Sequence, residues 1–348
     1  MTERAAPADE QATMQATAIA HPNIALVKYW GKRDAALNLP AAGSLSLTLG
    51  PVRTETTVRF GADADRLQLN GRWAADSETR KLKRVLDLVR ARVARDRGAA
   101  AAADLGGAEV VSGNDFPTAA GLASSSSGFA ALALAASHAA GLRLSPAELS
   151  DLSRQGSGSA ARSIFGGFAR MHAGTRADGT DAVAEQLHGP DHWGLRVVIA
   201  VTVEGAKEVA STDGMTLTEQ TSPYFAAWIG TVEPDIARAT AAIDARDFAG
   251  LARVAERSAL AMHASAIAAD PGVIYWRGAT VDVIHHVRSL RAAGWPVFFT
   301  VDAGPHVKVF TLAERAEALA NELRSVPGVI RTIAAEPAEG ARLIEPGR

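Results

Sequence analysis

The sequence predicts an α+β fold, and three observations support this. The 348 residues are 47% hydrophobic and 21% charged, which is enough apolar material for one large domain or two fused ones. Several runs rich in β-branched and aromatic residues predict strands. Helical patterns lie between these runs without a regular β–α alternation, which favours an α+β architecture over a doubly wound sheet.

Local composition predicts the strands and the division of the chain. β-Branched and aromatic residues dominate three runs: TETTVRF (54–60), LRVVIAVTV (195–203) and PVFFTV (296–301). The segment 186–194, QLHGPDHWG, is polar and rich in turn residues, so we place a boundary there. The first fifteen residues, MTERAAPADEQATMQ, lack the apolar core of a signal peptide, and we expect a loose N-terminal extension over 1–15.

Helical patterns occupy four segments. In 77–97, four apolar residues fall on one face at helical spacing: Leu82, Leu86, Val89 and Val93. Ser145-Pro146-Ala147-Glu148 opens a second helix, with proline at the first helical position and with serine and glutamate at the spacing of a capping box. The segments 233–267 and 312–325 also predict helical structure.

Composition excludes several classes of function. The chain has no cysteine, which rules out disulfides, thiolate metal sites and a cysteine nucleophile and fits a cytoplasmic protein. A net charge of −2 argues against a surface that neutralises many nucleic-acid phosphates. No stretch reaches the roughly 18 apolar residues of a membrane span. The nine histidines form no HExxH motif, and the adjacent His285 and His286 point in different directions on a helix.

The stretch PTAAGLASSSSG (117–128) leads into GFAALALAASHAA, an apolar run of good helix formers. Glycine lets the backbone approach a ligand closely, and the first N–H groups of a helix have no internal partners, so such a helix start attracts anions. The stretch lacks the GxxxxGK[ST] of a Walker loop and contains no lysine. From these residues two interpretations stay open: a capped helix with a Gly/Ser entry loop, or a cradle for phosphate.

PTAAGLASSSSGFAAL resembles the glycine/serine phosphate loop of the GHMP kinase superfamily. Five segments, in the same order and at similar spacing, resemble the diphosphomevalonate decarboxylase family: NIALVKYWGKRDAALNLPAAGSLSLTL (23–49), SGNDFPTAAGLASSSSG (112–128), RQGSGSAARSIFGGF (154–168), KEVASTDGM (207–215) and VDAGPHVKVF (301–310). The resemblance implies a two-lobed GHMP kinase fold with its active site between the lobes. The implied lobes are an ATP-binding lobe like ribosomal protein S5 domain 2, 16–190, and a ferredoxin-like α+β lobe, 191–348.

The resemblance also implies an activity. The expected reaction converts mevalonate 5-diphosphate to isopentenyl diphosphate and releases ADP, phosphate and CO₂, in the mevalonate pathway of isoprenoid biosynthesis. It uses ATP and Mg²⁺, and the family resemblance implies a homodimer. Two rivals within the superfamily stay open: a decarboxylase of mevalonate 5-phosphate, and a kinase that phosphorylates the 3-hydroxyl of mevalonate and stops. A rival from another class is a non-catalytic nucleotide- or metabolite-binding protein that kept the fold.

Three residues are the candidate catalytic groups. Asp302 ends the apolar strand PVFFTV in the turn DAGP, where a carboxylate can accept the proton of a hydroxyl, or alternatively cap the turn. Lys28 is flanked by apolar residues in VKYWGK, so its ammonium either points inward to pair with Asp302 or snorkels from a strand edge. The resemblance implies that Arg162, in SAARSIFGG, contacts the substrate carboxylate or phosphate.

The resemblance implies further contacts with substrate and nucleotide. Beside Arg162, the implied substrate-binding residues are Tyr29, Lys32, Arg80, Ser157, Ser159 and Ser211. The implied ATP-binding residues are Asn114, Gly121, Ala123, Ser124, Ser125 and Ser126. Ser124 is also the candidate protein ligand of Mg²⁺, which bridges ATP phosphates and keeps most of its waters. The sequence departs from the family at His306, where asparagine is usual, so the hydrogen bonding of the DAGP turn stays open.

Overall fold

Strands make up two large sheets and one hairpin in the computed structural model, which describes residues 14–115, 124–205 and 208–345. In chain order the strands of these ranges are β1 (Gln15–Ala20), β2 (Asn23–Val27), β3 (Lys32–Asp34), β4 (Leu39–Pro40), β5 (Ser44–Gly50), β6 (Thr54–Ala62), β7 (Arg66–Leu69), β8 (Arg72–Trp73), β9 (Gly107–Asn114), β10 (Phe168–Met171), β11 (Ala184–His188), β12 (Leu195–Val201), β13 (Phe298–Val301), β14 (Val307–Leu312), β15 (Arg331–Pro337) and β16 (Arg342–Ile344).

Helices pack on both sheets. In chain order the described helices are α1 (Asp76–Arg97), α2 (Ala99–Ala103), α3 (Ser124–Ala139), α4 (Pro146–Gly156), α5 (Ala160–Ser163), α6 (Ser211–Thr221), α7 (Phe225–Asp244), α8 (Phe248–Ile267), α9 (Gly278–Ala292) and α10 (Ala316–Arg324). Within the described ranges, no helix combines the length and apolar character needed to cross a bilayer.

The first sheet has six strands in the order β16-β1-β6-β9-β7-β8. α3 packs across β1 and β6, and its buried face is mostly alanine, so the helix lies close to the strands. The predicted apolar face of α1 closes the same core, with Leu86, Val89 and Val93 fully buried. This packing fixes where the first residues of α3 lie.

The second sheet has eight strands and crosses the predicted boundary at 186–194. Its order is β11-β10-β5-β15-β12-β14-β13, with β2 beside β5. The strands from before and after the boundary meet in the antiparallel pairing of β15 with β5, where Glu336 lies opposite Gly50. α7 and α8 cover one core of this sheet, and α9 and α10 cover another. β16 returns to the first sheet and pairs with β1, so the last described strand joins the part of the fold where the chain begins.

The structure confirms the α+β fold class and most of the predicted elements. β6, β12 and β13 occupy the three predicted strand runs, and Ser145 and Glu148 form the predicted capping box at the start of α4. The segment 233–267 is divided between two helices, because Arg246 has φ 52° and the Asp247 side chain caps α8 by accepting from the N–H of Gly250. Of the predicted extension 1–15, residues 1–13 lie outside the described residues, and β1 begins at Gln15.

Candidate active site

A cleft of about 420 Å³ lies where elements from distant parts of the chain meet. Its lining comes from the segment after β2, from α1, from the turn between α4 and α5, from the start of α6 and from the turn after β13. These elements belong to both sheets and their helices, so folding brings together side chains that are far apart in sequence. The predicted catalytic residues Lys28, Arg162 and Asp302 all line this cleft.

Asp302 and Lys28 form an ion pair inside the cleft. Asp302 follows the buried strand β13, and its Oδ1 lies 2.6 Å from Nζ of Lys28. Lys28 is only 1% exposed, and its Nζ also donates to the carbonyl oxygen of Ala25 at 2.9 Å. β2 is buried along its whole length, so the lysine that follows it points inward and does not snorkel from a strand edge.

For both Asp302 and Lys28, burial shifts the pKa in one direction and the neighbouring opposite charge shifts it in the other. Burial raises the pKa of the Asp302 carboxyl, but the charges of Lys28 and Lys308 lower it more, and the net pKa lies below its usual range. Burial lowers the pKa of Lys28 to about 8, although Asp302 opposes that shift. The Asp302 side chain remains 26% exposed and lines the cleft, so an ionised carboxylate faces the space for a ligand.

Lys308 is a site residue that the sequence analysis missed. Its Nζ lies 3.3 Å from Oδ2 of Asp302, the oxygen that does not contact Lys28, and the residue is 1% exposed. A signal was present in the sequence, because a lysine inside the apolar strand VKVF interrupts a run whose other members are buried. The neighbouring His306 is also buried, and its Nδ1 accepts from the N–H of Thr202 at 3.2 Å, which is one of the hydrogen bonds of this turn.

Arg162 carries a buried positive charge, and its hydrogen bonds to other described residues all go to neutral acceptors. The guanidinium is 2% exposed and donates to Oδ1 of Asn23 and to the hydroxyls of Ser44 and Ser46, at 2.5–3.3 Å. Burial lowers its pKa to about 10. It forms no ion pair with any residue in the described ranges, so its charge is available to an anionic ligand. Asn23, also missed from sequence, is fixed in turn by donating to the carbonyl oxygen of Ser159.

Tyr29 presents a buried hydroxyl that has no hydrogen-bond partner among the described residues. Burial raises its pKa to about 12, so the phenol stays protonated and can donate to a ligand. A Cβ at Gly158 would lie 2.3 Å from this hydroxyl, and the glycine is therefore required for the approach. The predicted Ser157 and Ser159 flank Gly158 in the chain. Their Oγ atoms lie 3.3 Å apart, and both residues line the cleft.

Three cations lie at one end of the cleft. Lys32, Lys81 and Arg84 all line it, and burial together with the charges of the other two lowers the pKa of Lys32. Arg80, predicted from the same helix as Lys81 and Arg84, is exposed and is not among the described residues that line the cleft. The described lining of the cleft therefore includes this helix, through residues one and four positions further along it than Arg80.

The start of α3 adjoins the same cleft. Ser125 lines it, and its Oγ accepts from Ser157 at 3.4 Å, while Ser126 is fully buried and its Oγ accepts from the N–H of Asn23. Asn114 ends β9, and its side chain accepts from Oγ1 of Thr54 at 2.6 Å. Ser124 is the first residue of α3, and Ser211 is the first residue of α6 and lines the cleft. The predicted Gly121 and Ala123 lie outside the described residues.

The donor set fits a nucleotide-bound Mg²⁺ better than a resident metal centre. Over the described ranges, no group of three or more His, Cys, Asp or Glu side chains is arranged to hold a metal ion. Serine hydroxyls at the start of α3 can contribute a single ligand, as Mg²⁺ requires when phosphates and water supply the rest.

Comparison with known proteins identifies the family. Residues 20–184 match the family model of the diphosphomevalonate decarboxylase-like N-terminal domain, and residues 197–338 match that of the mevalonate 5-diphosphate decarboxylase C-terminal domain. Diphosphomevalonate decarboxylase mvd1 of Aspergillus fumigatus is 39% identical over 338 residues, covering 93% of this chain and 83% of the relative.

Solved structures agree in fold over nearly the whole chain. The mevalonate diphosphate decarboxylase of Staphylococcus aureus is 38% identical, with a TM-score of 0.87, over 95% of this chain and 98% of that one. The structure of MDDEF in complex with MVAPP, AMPPCP and magnesium is 40% identical, with a TM-score of 0.86, over 95% and 99%. These matches confirm the two-lobed GHMP kinase fold and the predicted resemblance: the chain belongs to the diphosphomevalonate decarboxylase family.

Proposed function

We propose that this chain catalyses the ATP-dependent decarboxylation of mevalonate 5-diphosphate to isopentenyl diphosphate, with release of ADP, phosphate and CO₂. The observation that carries the proposal is the ionised Asp302, paired with Lys28 at 2.6 Å in a cleft that the buried Arg162 also lines. An acid, a buried lysine and an arginine in contact only with neutral groups are the set that this reaction needs around a tertiary alcohol. A protein that only binds a nucleotide or metabolite does not require the acid, the lysine and the arginine together.

The first chemical step transfers a phosphoryl group to the 3-hydroxyl. Asp302 accepts a hydrogen bond from this hydroxyl and takes its proton, while Lys28 stabilises negative charge on the oxygen. The lowered pKa of Asp302 keeps the carboxylate ionised before the substrate binds. The anionic groups of the substrate then bring negative charge into the cleft, which raises the pKa of Asp302 and makes it a better proton acceptor.

The second step removes the carboxyl group. The planar guanidinium of Arg162 binds the substrate carboxylate in a bidentate manner. The bond between C3 and the phosphorylated oxygen breaks, and phosphate leaves with that electron pair. The bond between C2 and the carboxylate carbon breaks next, its electron pair forms the C2–C3 double bond, and CO₂ leaves. Asn23 and the serines that hold Arg162 keep its orientation fixed throughout.

The polar end of the cleft binds the substrate diphosphate. Lys32, Lys81 and Arg84 supply positive charge, and the Tyr29 hydroxyl supplies a donor. Three cations suit a diphosphate better than a monophosphate, so this cluster favours mevalonate 5-diphosphate over the rival substrate mevalonate 5-phosphate.

The start of α3 would hold the nucleotide, where the first N–H groups of the helix and the hydroxyls of Ser124 and Ser125 would bind phosphate. When bound, ATP supplies the phosphoryl group and Mg²⁺ neutralises phosphate charge. The same proposal includes a cytoplasmic homodimer, on the strength of the family resemblance and the absence of cysteine from the sequence.

Release of ¹⁴CO₂ from carboxyl-labelled mevalonate 5-diphosphate, mevalonate 5-phosphate and mevalonate, each with ATP and Mg²⁺, tests the proposal. We expect kcat/KM to be highest for the diphosphate, by about tenfold or more over the monophosphate, because each lost contact to a charged group costs about 1.5–3 kcal/mol. Arg84→Gln should reduce this preference. The matched variant Arg80→Gln, one turn away and outside the cleft lining, should keep it. Equal or faster turnover of the monophosphate would overturn the diphosphate assignment.

A further inference from the structure

Two of the six lysines of the chain, Lys28 and Lys308, converge on the carboxylate of Asp302. Lys308 lies in β14, which runs between β12 and β13, and it is paired with Ile199 and Thr300 on these neighbours. The flanking Val307 and Val309 point into the core beneath α9 and α10. Lys308 therefore projects from the opposite face of the strand, toward Asp302.

The second lysine is not needed to neutralise the acid. Lys28 alone balances Asp302, at 2.6 Å from Oδ1, and burying another ammonium costs free energy unless something else requires it. The Nζ of Lys308 lies 3.3 Å from Oδ2 of Asp302 and 3.5 Å from the carbonyl oxygen of His306. The two ammonium groups thus hold different oxygens of one carboxylate, which fixes its plane as well as its charge.

We propose that Lys308 is a positioning residue for the decarboxylation: it orients the Asp302 carboxylate toward the 3-hydroxyl and adds a second positive charge behind it. The inference rests on the proposed function, since it assigns Lys308 a role in that reaction. Lys308 acts through Asp302, and Lys28 keeps its own contact with the other oxygen.

The charged and titratable side chains around Asp302 and Lys308 determine how the activity of a variant depends on pH. They come from each neighbouring element: Lys28 after β2, Arg162 on α5, His263 on α8 and His306 in the turn before β14. Burial, followed by the charge of Lys28, lowers the pKa of His263 to about 3, so this ring is neutral near pH 8. Burial is also the main cause of the lowered pKa of Lys28, about 8, and the charges of Lys308 and Arg162 lower it further.

Loss of the Lys308 charge must therefore raise the pKa of Lys28. If turnover requires the Lys28 ammonium, wild-type kcat/KM, which reports the free enzyme, falls as the pH rises through about 8, and this alkaline limb moves to higher pH in Lys308→Met. Lys308→Arg keeps the charge and should keep the limb in place. A lysine with a purely structural role predicts instead that kcat, corrected for the folded fraction, equals that of the wild type in Lys308→Met.

The test compares Lys308→Met, Lys308→Arg and Thr311→Val for kcat, KM and pH profile with mevalonate 5-diphosphate and MgATP. Thr311 is buried on the same strand, and its hydroxyl has no partner in the described part of the chain, so Thr311→Val is the matched control for a change in β14. We expect kcat of Lys308→Met to fall on the order of 10- to 100-fold, as for a misplaced catalytic group, with the KM for ATP within twofold. Its thermal midpoint should equal or exceed that of the wild type, because Lys28 still balances Asp302.

A readout without turnover separates this inference from the proposed function. In protein labelled with ¹³C at the lysine ε-carbons, only six resonances are present, and that of Lys28 should titrate near pH 8 in the wild type and at higher pH in Lys308→Met. A wild type without decarboxylase activity would refute the proposed function, while the titration still tests the contact. A kcat within twofold of the wild type, or an unmoved Lys28 titration, would overturn the inference. If Lys308→Met fails to fold, Lys308→Gln replaces it in both measurements.

Discussion

At the scale of single residues, the cleft is defined by an excess of buried positive charge. Lys28, Lys308 and Arg162 are each at most 2% exposed, and one carboxylate, Asp302, faces them. Buried charges are costly unless they are paired, so this arrangement is suited to a ligand that brings several negative charges. A substrate with one carboxylate and a diphosphate meets that requirement.

Asp302→Asn removes the proton acceptor and keeps the shape of the side chain. We expect kcat to fall about 10²- to 10⁴-fold, the contribution of a positioned general base, with ATP affinity by calorimetry within about threefold of the wild type. The variant also leaves two buried ammonium groups without a carboxylate, so the free energy of unfolding should fall by about 3 kcal/mol.

The matched control for this variant is Asp282→Asn, because Asp282 is exposed on α9 and is not part of the cleft lining as far as the structure describes it. Its kcat and stability should equal those of the wild type. An Asp302→Asn enzyme that turns over within tenfold of the wild type, after correction for its folded fraction, would contradict the assigned role.

Sequence reasoning at this scale predicted Asp302, Lys28 and Arg162 but missed Lys308 and Asn23. The first three lie in motifs that resemble the family, whereas Lys308 was overlooked inside an apolar strand. Its partnership with Asp302 depends on the turn after β13, and that of Arg162 with Asn23 joins positions 139 residues apart. Contacts of this kind arise from the packing of the sheets, and no local pattern encodes them.

At the scale of elements, the turn between α4 and α5 determines the fit of the substrate pocket. The capping box fixes the start of α4, and the GSGSA sequence ends that helix and places Ser157 and Ser159 beside Tyr29. Gly158 leaves no room for a side chain against the Tyr29 hydroxyl. The position of Tyr29 therefore depends on a backbone that lacks a Cβ.

Gly158→Ala should displace Tyr29, because the added Cβ would lie 2.3 Å from its hydroxyl oxygen. We expect the KM for mevalonate 5-diphosphate to rise about tenfold, with the KM for ATP nearly constant. Gly230→Ala is the matched control, since Gly230 lies on α7 and no atom of the described residues lies within 4 Å of the added Cβ. It should leave both KM values unchanged and stabilise the helix by about 1 kcal/mol. An unchanged KM in Gly158→Ala would show that Tyr29 does not bind the substrate.

Amphipathic periodicity predicted the elements better than their ends. The face formed by Leu82, Leu86, Val89 and Val93 is buried as expected, because α1 packs on one side only. The division of 233–267 was missed, since apolar residues continue at helical spacing on both sides of Arg246. The sequence pattern also does not determine whether Arg80 or its neighbours Lys81 and Arg84 line the cleft, because this depends on how α1 is rotated about its axis.

At the scale of the whole molecule, the second sheet makes the two family-matched regions one structural unit. Strands from before and after the predicted boundary pair side by side through β5 and β15, and β16 pairs with β1 in the other sheet. Because of this sharing, the acid after β13 and the cations near β2 and α5 are held in register by continuous hydrogen-bonded strands. Such a frame supports chemistry that needs its groups within fractions of an ångström.

The most direct test of this account is the ratio of CO₂ to ADP released in one reaction from carboxyl-labelled mevalonate 5-diphosphate and ATP. Phosphoryl transfer at the 3-oxygen, followed by decarboxylation in the same cleft, predicts one CO₂ for each ADP at all times during turnover. ADP formed without CO₂ would show that the enzyme phosphorylates the alcohol and stops, and would contradict the account.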